Sequence, residues 1–225
     1  MGLLDGLRRM VGAVGGPVHD FDPGLFDDPL AMRVDWSPLA GGGANFRTHR
    51  GRQVDSERYV FSPTLMGRLF PAIFVLAGVG VLVVAFVKSE ASPLNQPLAL
   101  LFPLCFVGIG LFLWRSIARH ATFDRRAGWY WRGGSQPGPG DSTGAERCRL
   151  SEVHALQLLP ERVRSDEGSD YTSWELNLVL EDGSRRNVVD HAGYDSLARE
   201  AAELAEFLDV PLWNKNDAYR VEARG

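Results

Sequence analysis

A chain of 225 residues, with about 40 of them in two uncharged apolar runs, has room for one modest soluble domain and excludes a large enzyme. Its formal net charge of -4 is uneven: residues 1–66 carry 7 Lys/Arg against 8 Asp/Glu, residues 67–120 carry 4 against 1, and residues 121–225 carry 13 against 19. That acidic C-terminal part argues against nucleic-acid binding, which needs clustered cations against phosphates, and against its bulk adhering to an anionic lipid surface.

In chain order, Leu3, Leu4, Leu7, Met10, Val11 and Val14 fall at helical spacing, with Asp5, Arg8 and Arg9 on the other side. Two readings stay open for this segment: an amphipathic helix lying on the inner leaflet, or a short helix packed on the protein itself. Gly2 opens no myristoylation motif, because the sixth position is Gly6 where Ser or Thr is needed. Residues 15–30, rich in Gly, Pro and Asp, read as irregular chain. Met32, Val34 and Trp36 alternate with Arg33 and Asp35, which predicts a half-buried strand. Gly41, Gly42 and Gly43 predict a flexible turn, followed by weaker strand candidates at Asn45 to His49 and Arg58 to Phe61.

The two apolar runs, Leu69 to Val87 and Pro97 to Trp114, are 19 and 18 residues long and hold no formal charge. Roughly 20 apolar residues cross a bilayer core, so each run predicts a membrane span. A signal peptide fits poorly, since the first run begins at residue 69 and a second of the same kind follows. Arg58, Arg68, Arg115, Arg119, Arg125 and Arg126 lie on the side of the two termini, whereas the connection Lys88 to Gln96 offers only Lys88, offset by Glu90. The excess of basic residues predicts that both termini are cytoplasmic and that the spans form an antiparallel hairpin. Gly78, Gly80, Gly108 and Gly110 allow close helix approach without forming a GxxxG pair, and no Asp, Glu, Lys, Arg or His lies within either run, so transport by this chain alone is not expected.

Beyond the hairpin, Thr122 and Phe123 lead through Asp124 to Gly128 into Trp129 to Arg132, which predicts a β-hairpin with Gly128 at the position needing positive φ. Residues 133–144 form a polar Gly/Pro/Ser loop. Leu156 and Leu158 flank Gln157, and Trp174, Leu176, Leu178 and Leu180 alternate with Glu175 and Asn177, turning at Asp182-Gly183 into Arg185 to Val189. The period then changes. Leu197, Ala201, Leu204, Ala205 and Leu208 make an apolar stripe on a helix whose outer face carries Arg199, Glu200, Glu203 and Glu206, with Asp195 or Ser196 as cap and Pro211 as stop.

Strands in hairpins followed by one C-terminal helix resemble a bacterial pleckstrin-homology-like (PH-like) domain of the kind found behind two transmembrane helices. The stretches Trp174 to His191 and Leu197 to Trp213 also resemble uncharacterised bacterial inner-membrane proteins with two spans. The resemblance covers about residues 65–214. It implies a fold of a membrane α-helical hairpin plus an α+β part, in which an antiparallel PH-like sheet or barrel is closed by one C-terminal helix. The expected divisions are an N-terminal segment at 1–30, a β-rich segment at 31–66, the membrane hairpin at 67–119, the cytoplasmic domain at 120–214 and a tail at 215–225. One antiparallel sheet is expected from Thr122 to Val189.

No residue pattern points to catalysis. Asp190-His191 could serve as an acid/base pair, yet neighbours on a strand face opposite ways. His154 reads as a partly buried polar residue, and His120 as an interfacial one. His19, Asp20 and Asp22 match no zinc, calcium or di-iron spacing, and neither glycine-rich segment continues into a phosphate-binding loop. Cys105 sits in the second apolar run and Cys148 in the polar part, so no disulfide and no metal set is expected. The segment Asn45 to Arg52 carries Arg47, His49, Arg50 and Arg52 near the membrane, and guanidinium forks suit phosphate. Together with Arg125 and Arg126 these form a candidate headgroup site. The sequence therefore leads to a non-enzymatic inner-membrane protein without cofactor, presenting an interaction domain to a protein partner or as a homo-oligomer. A phospholipid or phosphate-headgroup sensor is the alternative.

Overall fold

The computed structural model describes residues 21–88, 97–138, 140–164 and 170–216. The candidate helix at 1–14, His19, Asp20, the connection at 89–96 and the tail at 217–225 lie outside the described residues. Strands β1 (His49–Gln53) and β2 (Arg58–Pro63) precede helices α1 (Leu65–Lys88) and α2 (Pro97–Ile117). There follow β3 (Ala121–Asp124), β4 (Trp129–Arg132), β5 (Arg147–Arg149), β6 (Val153–Val163), β7 (Tyr171–Leu180), β8 (Arg185–His191), α3 (Tyr194–Leu208) and β9 (Leu212–Asn214).

Two sheets replace the single one expected over Thr122 to Val189. The first runs β1-β2-β3-β4-β5, antiparallel throughout, and the second runs β8-β7-β6-β9, with β9 parallel to β6. The helical hairpin interrupts the first sheet: β2 pairs with β3 antiparallel, Val60 opposite Thr122 and Phe61 opposite Ala121, although α1 and α2 intervene in the chain. Residues before and after the hairpin thus share one sheet, and Tyr59, Phe61, Phe123 and Tyr130 share one core with β6, β7 and α3. A chain beginning at Ala121 would lack two strands and the buried Tyr59 and Phe61.

Residues Leu65–Val87 and Leu100–Ile117 are long and apolar enough to cross a membrane, and only 11% of each is buried. Leu76 and Phe112 are each 70% exposed, the surface a lipid-facing helix presents rather than that of a core helix. The glycines divide into two pairs. A Cβ on Gly78 would lie 2.6 Å from the Pro103 carbonyl oxygen and one on Gly110 2.9 Å from the Val75 nitrogen, so these two let the helices touch; Gly80 and Gly108 have nothing within 4 Å.

Met32, Val34 and Trp36 form no strand. The Val34 amide donates to the Leu30 carbonyl at 3.1 Å, a helical turn that puts Leu30, Ala31 and Val34 on one buried face while Met32 is exposed. This segment covers the outer face of the second sheet, packing on Ala155, Val179 and Trp213. With both faces covered, β6 and β7 bury consecutive residues, and Glu175 and Asn177, which alternate with the leucines, are fully buried as well.

Helix α3 begins earlier than the expected Ser196. Gly193, in the left-handed region at φ 100°, occupies the N-cap without a side-chain bond, and the Ser196 hydroxyl donates back to the Gly193 carbonyl at 2.8 Å. The helix ends at Asp209 with φ 57°, before Pro211 is reached. Leu197, Ala201, Leu204 and Ala205 are buried as expected and Leu208 packs partly buried against the same core; Phe207 joins them, and Glu200, expected on the outer face, lies on the buried side.

Candidate functional site

The base of the hairpin is held to the first sheet by short connections. Only Thr64 separates β2 from α1, and Ala118, Arg119 and His120 separate α2 from β3. Thr64 caps α1 by accepting from the Gly67 amide at 3.0 Å, while its hydroxyl donates to the Arg47 carbonyl at 2.7 Å. Gly67 permits the contact, since a Cβ there would lie 2.6 Å from the Thr48 carbonyl oxygen. On the other side His49 Nε2 meets the Arg119 carbonyl at 3.2 Å, and His120, in the connection between α2 and β3, meets the Ser62 hydroxyl through Nδ1 at 3.2 Å.

Beside this junction lies an open groove of about 530 Å³, lined by Arg47, Arg50, Arg52, Ser62, Pro63, Thr64, Leu65 and Arg68. Arg50 and Arg52 project from the exposed face of β1, whose buried face carries His49 and Gly51. Gly51 is required between them because a Cβ would meet the Phe61 ring and the Tyr59 hydroxyl oxygen, both at 2.8 Å. The expected site residues therefore part company. Arg47 is ion-paired with buried Glu200 and donates to the His49 carbonyl. Burial outweighs that pair and holds the Glu200 carboxyl above its usual pKa. His49 is 5% exposed, and burial, with the nearby Arg132 cation adding to it, lowers its pKa to about 4, so it is neutral at pH 7 and adds no positive charge.

Arg125 and Arg126 belong to the opposite end of the first sheet. The Arg125 amide donates to the Glu57 carbonyl past the far end of β3, its guanidinium stacks 4.4 Å from the Phe207 ring centroid, and it bonds the Phe207 carbonyl. Arg68, read from sequence only as a span flank, takes their place in the groove. Among the described residues Arg50, Arg52 and Arg68 make no ion pair.

A second polar cluster surrounds residues 39–43. Glu175 accepts the Leu39 and Ala40 amides, each at 2.7 Å, and Glu161 accepts the Gly42 and Gly43 amides at 2.7 and 3.1 Å. The Tyr171 hydroxyl donates to the Gly43 carbonyl, and Ser173 bonds Asp190 beneath it. A Cβ on Gly43 would fall 1.9 Å from both the Asp190 Oδ1 and Ser173 Oγ atoms. The predicted flexible turn is thus a strap held by carboxylates. Asp190 is raised to about 7, chiefly by burial, with Glu161 and Glu175 adding to it. His191 donates its Nδ1 proton to the Ala192 carbonyl while Asp190 is bonded by Ser173, so the two are not bonded to each other as an acid/base pair.

The remaining candidates have structural partners. His154 bridges Asp28 at 2.8 Å and Glu181 at 3.3 Å; burial lowers its pKa, but the two carboxylates outweigh burial and raise it. Asp22 caps a 3-10 turn through the Gly24 amide. Cys148 is buried, which pushes its thiol up to about 12, and Cys105 lies in α2. Among the described residues no group of three His, Cys, Asp or Glu is placed to hold a metal ion. No protein-family model matches this chain, and no curated protein matches it.

Proposed function

We propose that this protein is a non-enzymatic integral protein of the bacterial inner membrane that presents a PH-like β domain to the cytoplasm as a partner-binding or scaffolding module. The observation that carries the reading is the insertion of the apolar hairpin between paired strands β2 and β3 through connections of one and three residues. A sheet built across such a junction has a fixed orientation to the bilayer. Its far end, at Glu57 and Arg125, points away from the hairpin base. The clustered side chains support binding and mounting over chemistry: Glu161 and Glu175 hold the strap, His154 bridges Asp28 and Glu181, and His49 meets backbone at the hairpin base. Two sheets with one helix packed over their shared core support the PH-like assignment.

The orientation follows from the basic residues on the domain side, Arg68, Arg115 and Arg119 at the span ends against Lys88 on the other. A phosphatase that is active only in the periplasm, fused after Gly225, should remain inactive, and the gently solubilised chain should co-purify with a partner in fixed stoichiometry. An active phosphatase, or a chain recovered alone, contradicts the reading.

A further inference from the structure

We propose that the groove formed by Arg50, Arg52 and Arg68 binds the phosphate of an anionic phospholipid from the leaflet on the β-domain side. The proposal rests on α1 and α2 being membrane spans. Arg50 and Arg52 stand on one face of β1, two residues and about 7 Å apart, within reach of a single phosphodiester group. Arg68 approaches from the first turns of α1, so the three cations converge from two elements on one hollow. Three converging guanidinium groups without a carboxylate partner are complementary to an oxyanion. Of the acidic side chains beside β1, Glu200 is taken by Arg47, and Glu203 lines an adjoining hollow that Arg50 and Arg52 also border, with no ion pair to either among the described residues.

Depth selects the source of the phosphate. Helix α1 has 24 residues, about 36 Å at 1.5 Å per residue, against a hydrocarbon core of about 30 Å. The uncharged run starts at Leu69, so Arg68 and the turn before it lie at the level of the headgroups. Arg50 pairs with Ser62, three residues before α1 starts at Leu65, which places it close to the same level. Leu65 lines the groove where an acyl chain would leave it. The acidic balance of residues 121–225 repels an anionic leaflet in general, so a local cationic slot directs that attraction to one place.

The full chain, reconstituted in phosphatidylcholine bilayers with spin-labelled phosphatidylglycerol or spin-labelled phosphatidylcholine as probe, tests this through the motionally restricted lipid fraction. The wild type should prefer the anionic probe by about fivefold or more, the equivalent of ~1 kcal/mol for one surface charge. The variant R50Q/R52Q/R68Q should fall to parity, R50K/R52K/R68K should recover most of the preference, and R58Q/R126Q at the far end should keep it. Parity in the wild type, an undiminished preference in the glutamine variant, or loss of preference on adding millimolar inorganic phosphate at constant ionic strength overturns the lipid site. Absence of a restricted fraction with either probe overturns the two-span reading along with it.

Discussion

Leu204→Asp is expected to abolish cooperative folding of the β domain. Leu204 is fully buried on α3, in the core shared with Tyr59, Phe61, Leu156 and Leu176. Burial of a leucine contributes about 1.5–3 kcal/mol, and forcing a carboxylate into the same place adds several kcal/mol or leaves the helix detached. The loss is comparable to the whole stability of an ordinary domain, about 5–15 kcal/mol. Because the first sheet contributes to this core on both sides of the hairpin, protease sensitivity should appear at 47–63 as well as at 121–214. Glu206→Ala, on the exposed face of the same helix, should shift stability by no more than about 0.5 kcal/mol. Unchanged protease resistance of Leu204→Asp would show that the apolar stripe does not close this core.

The second large effect is on pH dependence, where two buried groups act with opposite sign. His49 has its folded pKa lowered from 6.5 to about 4, so between these values the unfolded chain binds a proton that the native one does not. Its contribution is present above pH 6.5 and is lost as pH falls toward 4, by about 3 kcal/mol in all. Asp190 has its folded pKa raised from 3.8 to about 7, so the native state holds the extra proton. Its contribution is present below pH 3.8 and is lost as pH rises through 7. Thermal unfolding in detergent should show His49→Gln losing less stability than wild type on going from pH 7 to pH 4.5. Asp190→Asn should gain on wild type between pH 5 and pH 8. Parallel curves for wild type and both variants would contradict the buried placement of these groups.

The elements legible in the sequence are those fixed by local periodicity. The β7–β8 hairpin follows from alternating residues around Asp182-Gly183, with Gly183 at φ 81°, and α3 follows from its apolar stripe. The hairpin at Gly128, with φ 72°, is of the same kind. Pairing across a long insertion leaves no such trace: β2 and β3 are each short, and only their register reveals that residues before and after the apolar helices form one sheet. Glu161, Glu175 and Asp190 were equally hidden as a group, because β7 alternation looks the same whether water or a backbone strap covers the polar face. At the candidate site the arginines of the Arg50-Gly51-Arg52 stretch were legible, whereas the partner they needed was not. Arg125 and Arg126 are close to α2 in sequence, but β3 carries them about 13 Å along the strand direction from its start.

The central claim is that the hairpin interrupts a continuous sheet and leaves both flanking strands on one side of the membrane. Val60 and Thr122 face each other directly in the β2–β3 register, close enough for a disulfide after substitution. In the full chain in native membranes, with Cys105 and Cys148 replaced by Ser, V60C/T122C should form an intramolecular disulfide on mild oxidation. Before oxidation each single cysteine should react with a membrane-impermeant thiol reagent only when the cytoplasmic face is exposed. Failure of the pair to cross-link, or labelling of the two cysteines from opposite faces, would contradict the account.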